Sequence, residues 1–289
     1  MIAIPRAKDN KDAPAVRLWI GGDVNLGTTN SPVFLPLSDI LKGAVGIVNL
    51  EGPIATGLPA GAALKLVNAP GSLSQLRAAG VNLAGIANNH AQDAGASGSQ
   101  QTAEALRRAN VVPAGGPAGP ALLVSGGLRI VVAAYDLTDG VPRELGPELA
   151  AARKLGDFLI ASFHVTGPPS YLPRPELRRA AEIAAGAGAE IIVAHGTHVV
   201  GPVERRGSTI IAWGLGNLVF ACDCTDEQEG LVLKVSLGEH EVDSASVVPI
   251  KAGLRGEVAH LSSDPNGIFD LLEAIGSSKL DRKRFEAQF

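Results

Sequence analysis

Aromatic side chains are scarce in this chain, with seven Phe, two Tyr and two Trp among 289 residues. A core must therefore be assembled mainly from Ala, Val, Leu and Ile. With 46% hydrophobic and 19% charged residues, the composition is that of a globular protein. Basic charge is also short: 25 Lys and Arg stand against 29 Asp and Glu, for a formal charge of −4. No basic stripe of the kind that neutralises a phosphate backbone results, so nucleic acid is not an expected partner. The two cysteines, Cys222 and Cys224, are too few for a disulfide scaffold and read as free thiols in an acidic loop. No segment approaches the roughly 18 consecutive apolar residues of a membrane span. "MIAIPRAKDNKDAP" lacks the apolar stretch of about 7–15 residues that marks a signal peptide. The expectation is a cytoplasmic protein with no stable membrane anchor, comprising a polar arm over residues 1–14 and a single domain over 15–289.

What is present is one design used repeatedly. "VRLWIGGDVN" is an apolar run that reads as a buried strand delivering Asp23 at its end, with Asn25 two residues on. "GAVGIVNLEGP" does the same with Asn49 and Glu51 before a Gly52-Pro53 break, and "VNLAGIANNH" with Asn89 and His90. "FLIASFHVTG" ends in His164, and "IIVAHGTHVVGPVE" carries His195 and His198. Between these runs, helices are read from Gly71 to Ala79, in "SGSQQTAEALRRAN", in "PELAAARKLG", and from Pro175, which suits a first helical position. Residues 111–120 read as a loop and "ALLVSGGLRIVVAAYDL" as a hairpin around Gly126-Gly127. "STIIAWGLGNLVF" and "GLVLKVSLGEHEVDSASVVPIKA" read as antiparallel strands, and the tail from Phe269 as a helix. Strands and helices alternate without repeat or linker, which predicts an α/β fold in layers.

Five strands thus finish in residues able to bind metal or move protons. Carboxyl ends of strands joined by helical crossovers converge on one edge, where ligands bind. A histidine at one strand end is ordinarily held by a backbone carbonyl, but four of the six histidines fall at such ends. Carboxylate, amide oxygen and imidazole together suit Mn, Fe, Zn or Mg. Five to seven ligands suffice for one ion or for two about 3.5–4 Å apart, with Glu51 as the natural bridge.

"GGDVNLG", "VNLEGPI", "IANNHAQDAG", "HVTGPPSYLP", "AHGTHVVGPVE" and "GLGNLVF", in this order, resemble the CapA family of poly-γ-glutamate capsule biosynthesis proteins within the calcineurin-like metallophosphoesterase superfamily. The resemblance implies a four-layer α-β-β-α sandwich with a centre for one or two divalent ions, Mn, Fe or Zn, at one edge. It implies metal ligation by Asp23, Asn25, Glu51, Asn89, His164, His195 and His198, and a proton-donor role for His90. Asn49, Glu204 and Asn217 are expected to face the substrate, a small molecule or polymer. Gly196 replaces a histidine common in the family, Thr28 an arginine, and the usual membrane anchor or export signal is not expected. The function expected is phosphoester hydrolysis by a metal-bound hydroxide. The alternatives are amide or γ-glutamyl bond chemistry, or a non-catalytic accessory role in polymer biosynthesis.

Overall fold

The computed structural model describes residues 16–57, 64–277 and 279–289; the polar arm over 1–14 lies outside them. From the N-terminal side, β1 (Val16–Asn25), α1 (Ser38–Leu41), β2 (Val45–Leu50), α2 (Leu73–Ala78), β3 (Val81–Gly85), α3 (Gly98–Arg108) and β4 (Val112–Ala114) begin the first sheet and its helical cover. β5 (Ala121–Ser125), β6 (Leu128–Asp136), α4 (Leu145–Arg153), β7 (Phe158–His164), α5 (Pro175–Gly186), β8 (Ile191–His195), β9 (Val203–Arg206) and β10 (Thr209–Ala212) form the second. The chain then returns to the first sheet with β11 (Asn217–Phe220), β12 (Glu229–Leu237) and β13 (Val242–Lys251), and α6 (Pro265–Ala274) follows.

The first sheet runs β13-β12-β1-β2-β3-β4, with β11 beside the last residues of β1; the second runs β5-β6-β7-β8-β10-β9. Period-2 alternation decides what each face meets. On β1, Leu18 and Ile20 join Ile47, Leu83, Ile130, Val132, Ile160 and Val193 in a core between the sheets. Trp19, from the opposite face, packs with Val48, Leu76, Ala103 and Leu106 under the first helical layer. Val131, Leu159, Ala161 and Ile192 pack against Leu149, Leu177 and Ala180 of α4 and α5. These three cores make the α-β-β-α sandwich expected from the resemblance. Burying one such Leu or Ile contributes about 1.5–3 kcal/mol, so stability is spread over many aliphatic positions. Among the described residues no helix is long and apolar enough to cross a membrane.

Several local expectations are corrected. Residues 111–120 are not all loop: Val112–Ala114 pairs in parallel with β3 as an edge strand, where Pro113 costs no interior ladder bond. "STIIAWGLGNLVF" is not simply antiparallel, since β10 runs parallel to β8 and β11 parallel to β1. The last helix starts at Pro265, ahead of Phe269, because the Asp264 side chain caps it by accepting from the Gly267 N–H. The segment from Gly71 opens as a tight 3-10 turn over Pro70–Ser72 before α2. Cys222 and Cys224 are joined as a disulfide: the turn holds their Cα atoms 5.2 Å apart, inside the usual span for a bridge.

Candidate metal centre

The alternation that builds the central core also aims the site. Asn49 and Glu51 continue the inward set of Ile47, His164 that of Ile160, and His195 that of Ile191 and Val193. All lie where parallel strands end on one edge, between the two sheets. Asp23 reaches them through a register shift in β1 at Gly21-Gly22. A Cβ at Gly22 would fall on the Gly216 carbonyl oxygen, so only glycine lets β11 come this close. The approach is sealed by the Asp23 N–H donating to Gly216 O at 3.0 Å.

Asp23 is fully buried and lies level with Asn49 and Asn217 on its two neighbouring strands. Its Oδ1 accepts from Asn49 Nδ2 at 2.9 Å, and its Oδ2 accepts from the Gly196 backbone N–H at 2.9 Å. His195 Nδ1 lies 3.5 Å from Oδ1 and His198 Nδ1 3.7 Å from Oδ2. Burial alone would raise the Asp23 carboxyl, but the close approach and charge of His195, with His198 and His164, hold it well below the usual carboxylate range. Glu51 is 1% exposed and goes the other way. Burial, then the charges of Asp23, Asp93 and Asp136, push it well above the usual range. Burial likewise pushes the His164 imidazole down to about 3, although Asp23 pulls it upward.

Asp23, Glu51 and His164 each present a ligand atom within 4.8 Å of the others. Two buried atoms beside them have no hydrogen-bond partner among the described residues: Glu51 Oε2 and His195 Nδ1. An unpartnered carboxylate oxygen in the interior is costly unless a cation meets it. Two carboxylates and imidazoles are oxygen and nitrogen donors of the kind that Mn, Fe or Zn accepts. The residues therefore fit a divalent ion.

The other expected site residues fall around this set. Asn89 Oδ1 lies 2.8 Å from His164 Nε2, while Asn49 Nδ2 lies 3.3 Å from His164 Nδ1, an arrangement satisfied by the Nε2–H tautomer. His90 places Nε2 3.9 Å from Glu51 Oε1 and Nδ1 2.7 Å from Asp93 Oδ2. His198 adopts φ +55, a left-handed conformation uncommon for histidine, and is braced by Asn217 Oδ1 at 2.9 Å and by the edge of the Phe220 ring. Asn217 gives its Nδ2 to the Glu227 carbonyl, so it orients a histidine instead of facing open space. Asn49, 3% exposed, is likewise held within the cluster.

Asn25 is buried, and its amide nitrogen donates to the carbonyls of Glu51 at 3.0 Å and Val67 at 3.2 Å, which braces the loop. One expectation fails on geometry. Glu204 sits on the edge strand β9 level with Ile211, on the outward face of the second sheet, where its carboxylate accepts from Trp213 Nε1 and pairs with Arg206 at 2.8 Å. Sequence reasoning missed Asp93, whose signal is its position three residues after His90. It also missed Asn68, fully buried, which accepts from the Leu26 N–H and donates to the carbonyls of Glu51 and Gly52. Asn88 braces the turn, donating to Leu50 O at 2.9 Å.

The family described as bacterial capsule synthesis protein PGA_cap matches residues 8–222. A stretch of 104 residues, 36% of this chain, is 30% identical to the PGA biosynthesis protein CapA of Bacillus subtilis (strain 168), and spans 27% of that relative's length. A crystal structure of a hypothetical protein from Thermus thermophilus superimposes with a TM-score of 0.58 at 16% identity, over 82% of this chain and 100% of the other. That likeness shows the fold alone.

Proposed function

Because the chain belongs to the bacterial capsule synthesis protein family PGA_cap, we propose that it is a metal-dependent hydrolase cleaving a phosphoester in a small molecule or polymer. The observation that carries this reading is the buried set Asp23, Glu51 and His164 with its unpartnered neighbours Glu51 Oε2 and His195 Nδ1. These residues, completed by His195, His198 and Asn89, would hold one or two ions of Mn, Fe or Zn. A bound cation supplies Lewis acidity, worth several kcal/mol of charge stabilisation in a transition state, and a nucleophile at neutral pH.

The chain's own residues do the remainder. His90, 14% exposed at the rim, gives its proton to the departing oxygen. Asp93, on Nδ1 at 2.7 Å, fixes the ring so that Nε2 faces the cluster. Asn49, 2.9 Å from Asp23 and 3.3 Å from His164, keeps two donors at a constant separation. The relative's name places it in PGA biosynthesis, and the same donors polarise an amide carbonyl.

The test is product release after loading with Mn2+. Phosphate from p-nitrophenyl phosphate, abolished by a chelator, is the expected result. Release of p-nitroaniline from γ-glutamyl-p-nitroanilide without phosphoester cleavage moves the assignment to amide chemistry. Inertness toward both with Mn, Fe and Zn supplied leaves the accessory role.

A further inference from the structure

Beside the metal centre lies a cavity of about 940 Å³. Its origin is a mismatch in strand length. β5 begins at Ala121, level with Val132, so Ala133–Asp136, the last four residues of β6, have no strand of the sheet on that side. The cavity occupies that place, walled by the glycine- and proline-rich loop at 115–120, by α4 and by residues 86–92. Two of its wall residues adjoin the metal centre. Asn88 lines it and donates to Asn49 Oδ1 at 3.4 Å, and Asp136 lines it while lying level with His164. Gln92 on its wall follows His90 by two residues.

Most of this wall is small and apolar, and its charged members are of one sign. Asp136 and Glu148 are carboxylates, and among the described residues no Lys or Arg lines the cavity. Asp136 Oδ1 accepts from the Thr138 N–H at 3.0 Å and hydroxyl at 2.6 Å, a turn that holds the carboxylate in place. Tyr135 lines the same wall, its ring 6.1 Å from that of Phe163. Two carboxylates attract a cation and an aromatic ring adds to that attraction, whereas an anionic chain meets repulsion with no counter-charge on the wall.

We propose that this cavity receives a substrate group bearing an amine or quaternary ammonium, attached to the phosphoester cleaved at the metal centre; the proposal rests on reading that centre as hydrolytic. The reaction is ordinary hydrolysis. The bond between phosphorus and the amino-alcohol oxygen breaks, a bond between phosphorus and the oxygen of water forms, the alcohol leaves with the proton from His90, and a proton of the water replaces the one His90 gave.

Three small phosphomonoesters that differ in tail charge test the assignment: phosphoethanolamine, glycerol 3-phosphate and phosphoglycolate. For the Mn2+-loaded full chain, kcat/KM is read from phosphate release and Kd separately from calorimetry. The expected order is phosphoethanolamine, glycerol 3-phosphate, phosphoglycolate, with about tenfold between the extremes. Glu148 is exposed, so Glu148→Lys folds, as circular dichroism checks, and is expected to cut the ethanolamine-to-glycolate ratio by about threefold or more. Equal values, a reversed order, binding of none of the three, or a ratio unmoved in Glu148→Lys overturns the assignment. Ordered binding without turnover supports the cavity's preference while removing the hydrolytic reading beneath it. Turnover without order does the opposite.

Discussion

Gly196 donates its backbone N–H to Asp23 Oδ2 at 2.9 Å, tying together two strand ends 173 residues apart in the chain. Its φ is +76, and a Cβ there would fall on the Val165 carbonyl oxygen and against the His164 ring. Glycine at this position is therefore demanded by the backbone as built. Gly196→Ala is predicted to cost about 2–4 kcal/mol from positive-φ strain and collision together. Gly196→His should carry the same penalty and add no metal affinity. Urea unfolding and Mn2+ titration check both; a cost below about 0.5 kcal/mol, or tighter metal binding in Gly196→His, contradicts the account.

Glu51 predicts a trade between stability and metal binding. Its carboxyl is buried with Oε2 unpartnered, and burial with the nearby acids raises its pKa well above 4.5. The folded state then holds this proton more tightly than the unfolded state. Its contribution is accordingly favourable below pH 4.5 and lost as pH rises through the folded value. At pH 7, metal-free Glu51→Gln should be more stable than metal-free wild type, by about 2–4 °C in Tm for each kcal/mol gained. Wild type should gain about 2.7 kcal/mol with Mn2+ at a hundredfold excess over Kd, and the variant, its Kd weakened tenfold or more, about 1.4 kcal/mol or less at the same Mn2+. A metal-free variant less stable than wild type would falsify this.

His90 and Asp93 should separate by kinetics. His90→Ala is expected to lower kcat by about 10²–10⁴-fold with metal affinity retained, since His90 stands 3.9 Å from Glu51 outside the donor set. Asp93→Asn leaves the imidazole in place but loosens its orientation, and a loss of about 10–100-fold is expected. An unchanged kcat in His90→Ala assigns proton transfer to another group.

His164 makes a prediction about acid. Its folded pKa of about 3 lies below the ordinary 6.5, so between those values the unfolded chain takes up a proton that the folded chain refuses. Metal-free stability should fall as pH drops from 6.5 toward 3 and be insensitive to this group above 6.5. Replacing the imidazole by His164→Gln removes that slope. The difference between wild type and variant in chelator, followed by urea unfolding from pH 7 to pH 5, should shift steadily against wild type. A difference independent of pH assigns the acid sensitivity elsewhere.

The inward-facing site residues are legible because strand alternation is written in the sequence: Ile47, Asn49 and Glu51 share one face by parity alone. Parity also misplaces what it is not applied to. Glu204 follows His198 closely in the chain, yet its register with Ile211 turns it to the outer face. Asn25 carries a ligand-type side chain, but only the folded loop offers it the carbonyls of Glu51 and Val67. Asp93 lies inside "IANNHAQDAG" and is still not readable there, because a helical-looking i,i+3 spacing says nothing about which way an imidazole turns. β4 is hidden by Pro113, and the cavity by a difference in length between β5 and β6 that composition does not record.

Equilibrium titration of the chelator-stripped protein with Mn2+, Fe2+ and Zn2+, with the bound metal counted per chain, tests the central claim most directly. Wild type should take up one or two ions of at least one of these metals, and Asp23→Asn, Glu51→Gln and His164→Ala should each weaken binding by about tenfold or more. A wild-type chain that binds none of the three metals, or three variants that bind as wild type does, contradicts the assignment of this cluster as a metal centre.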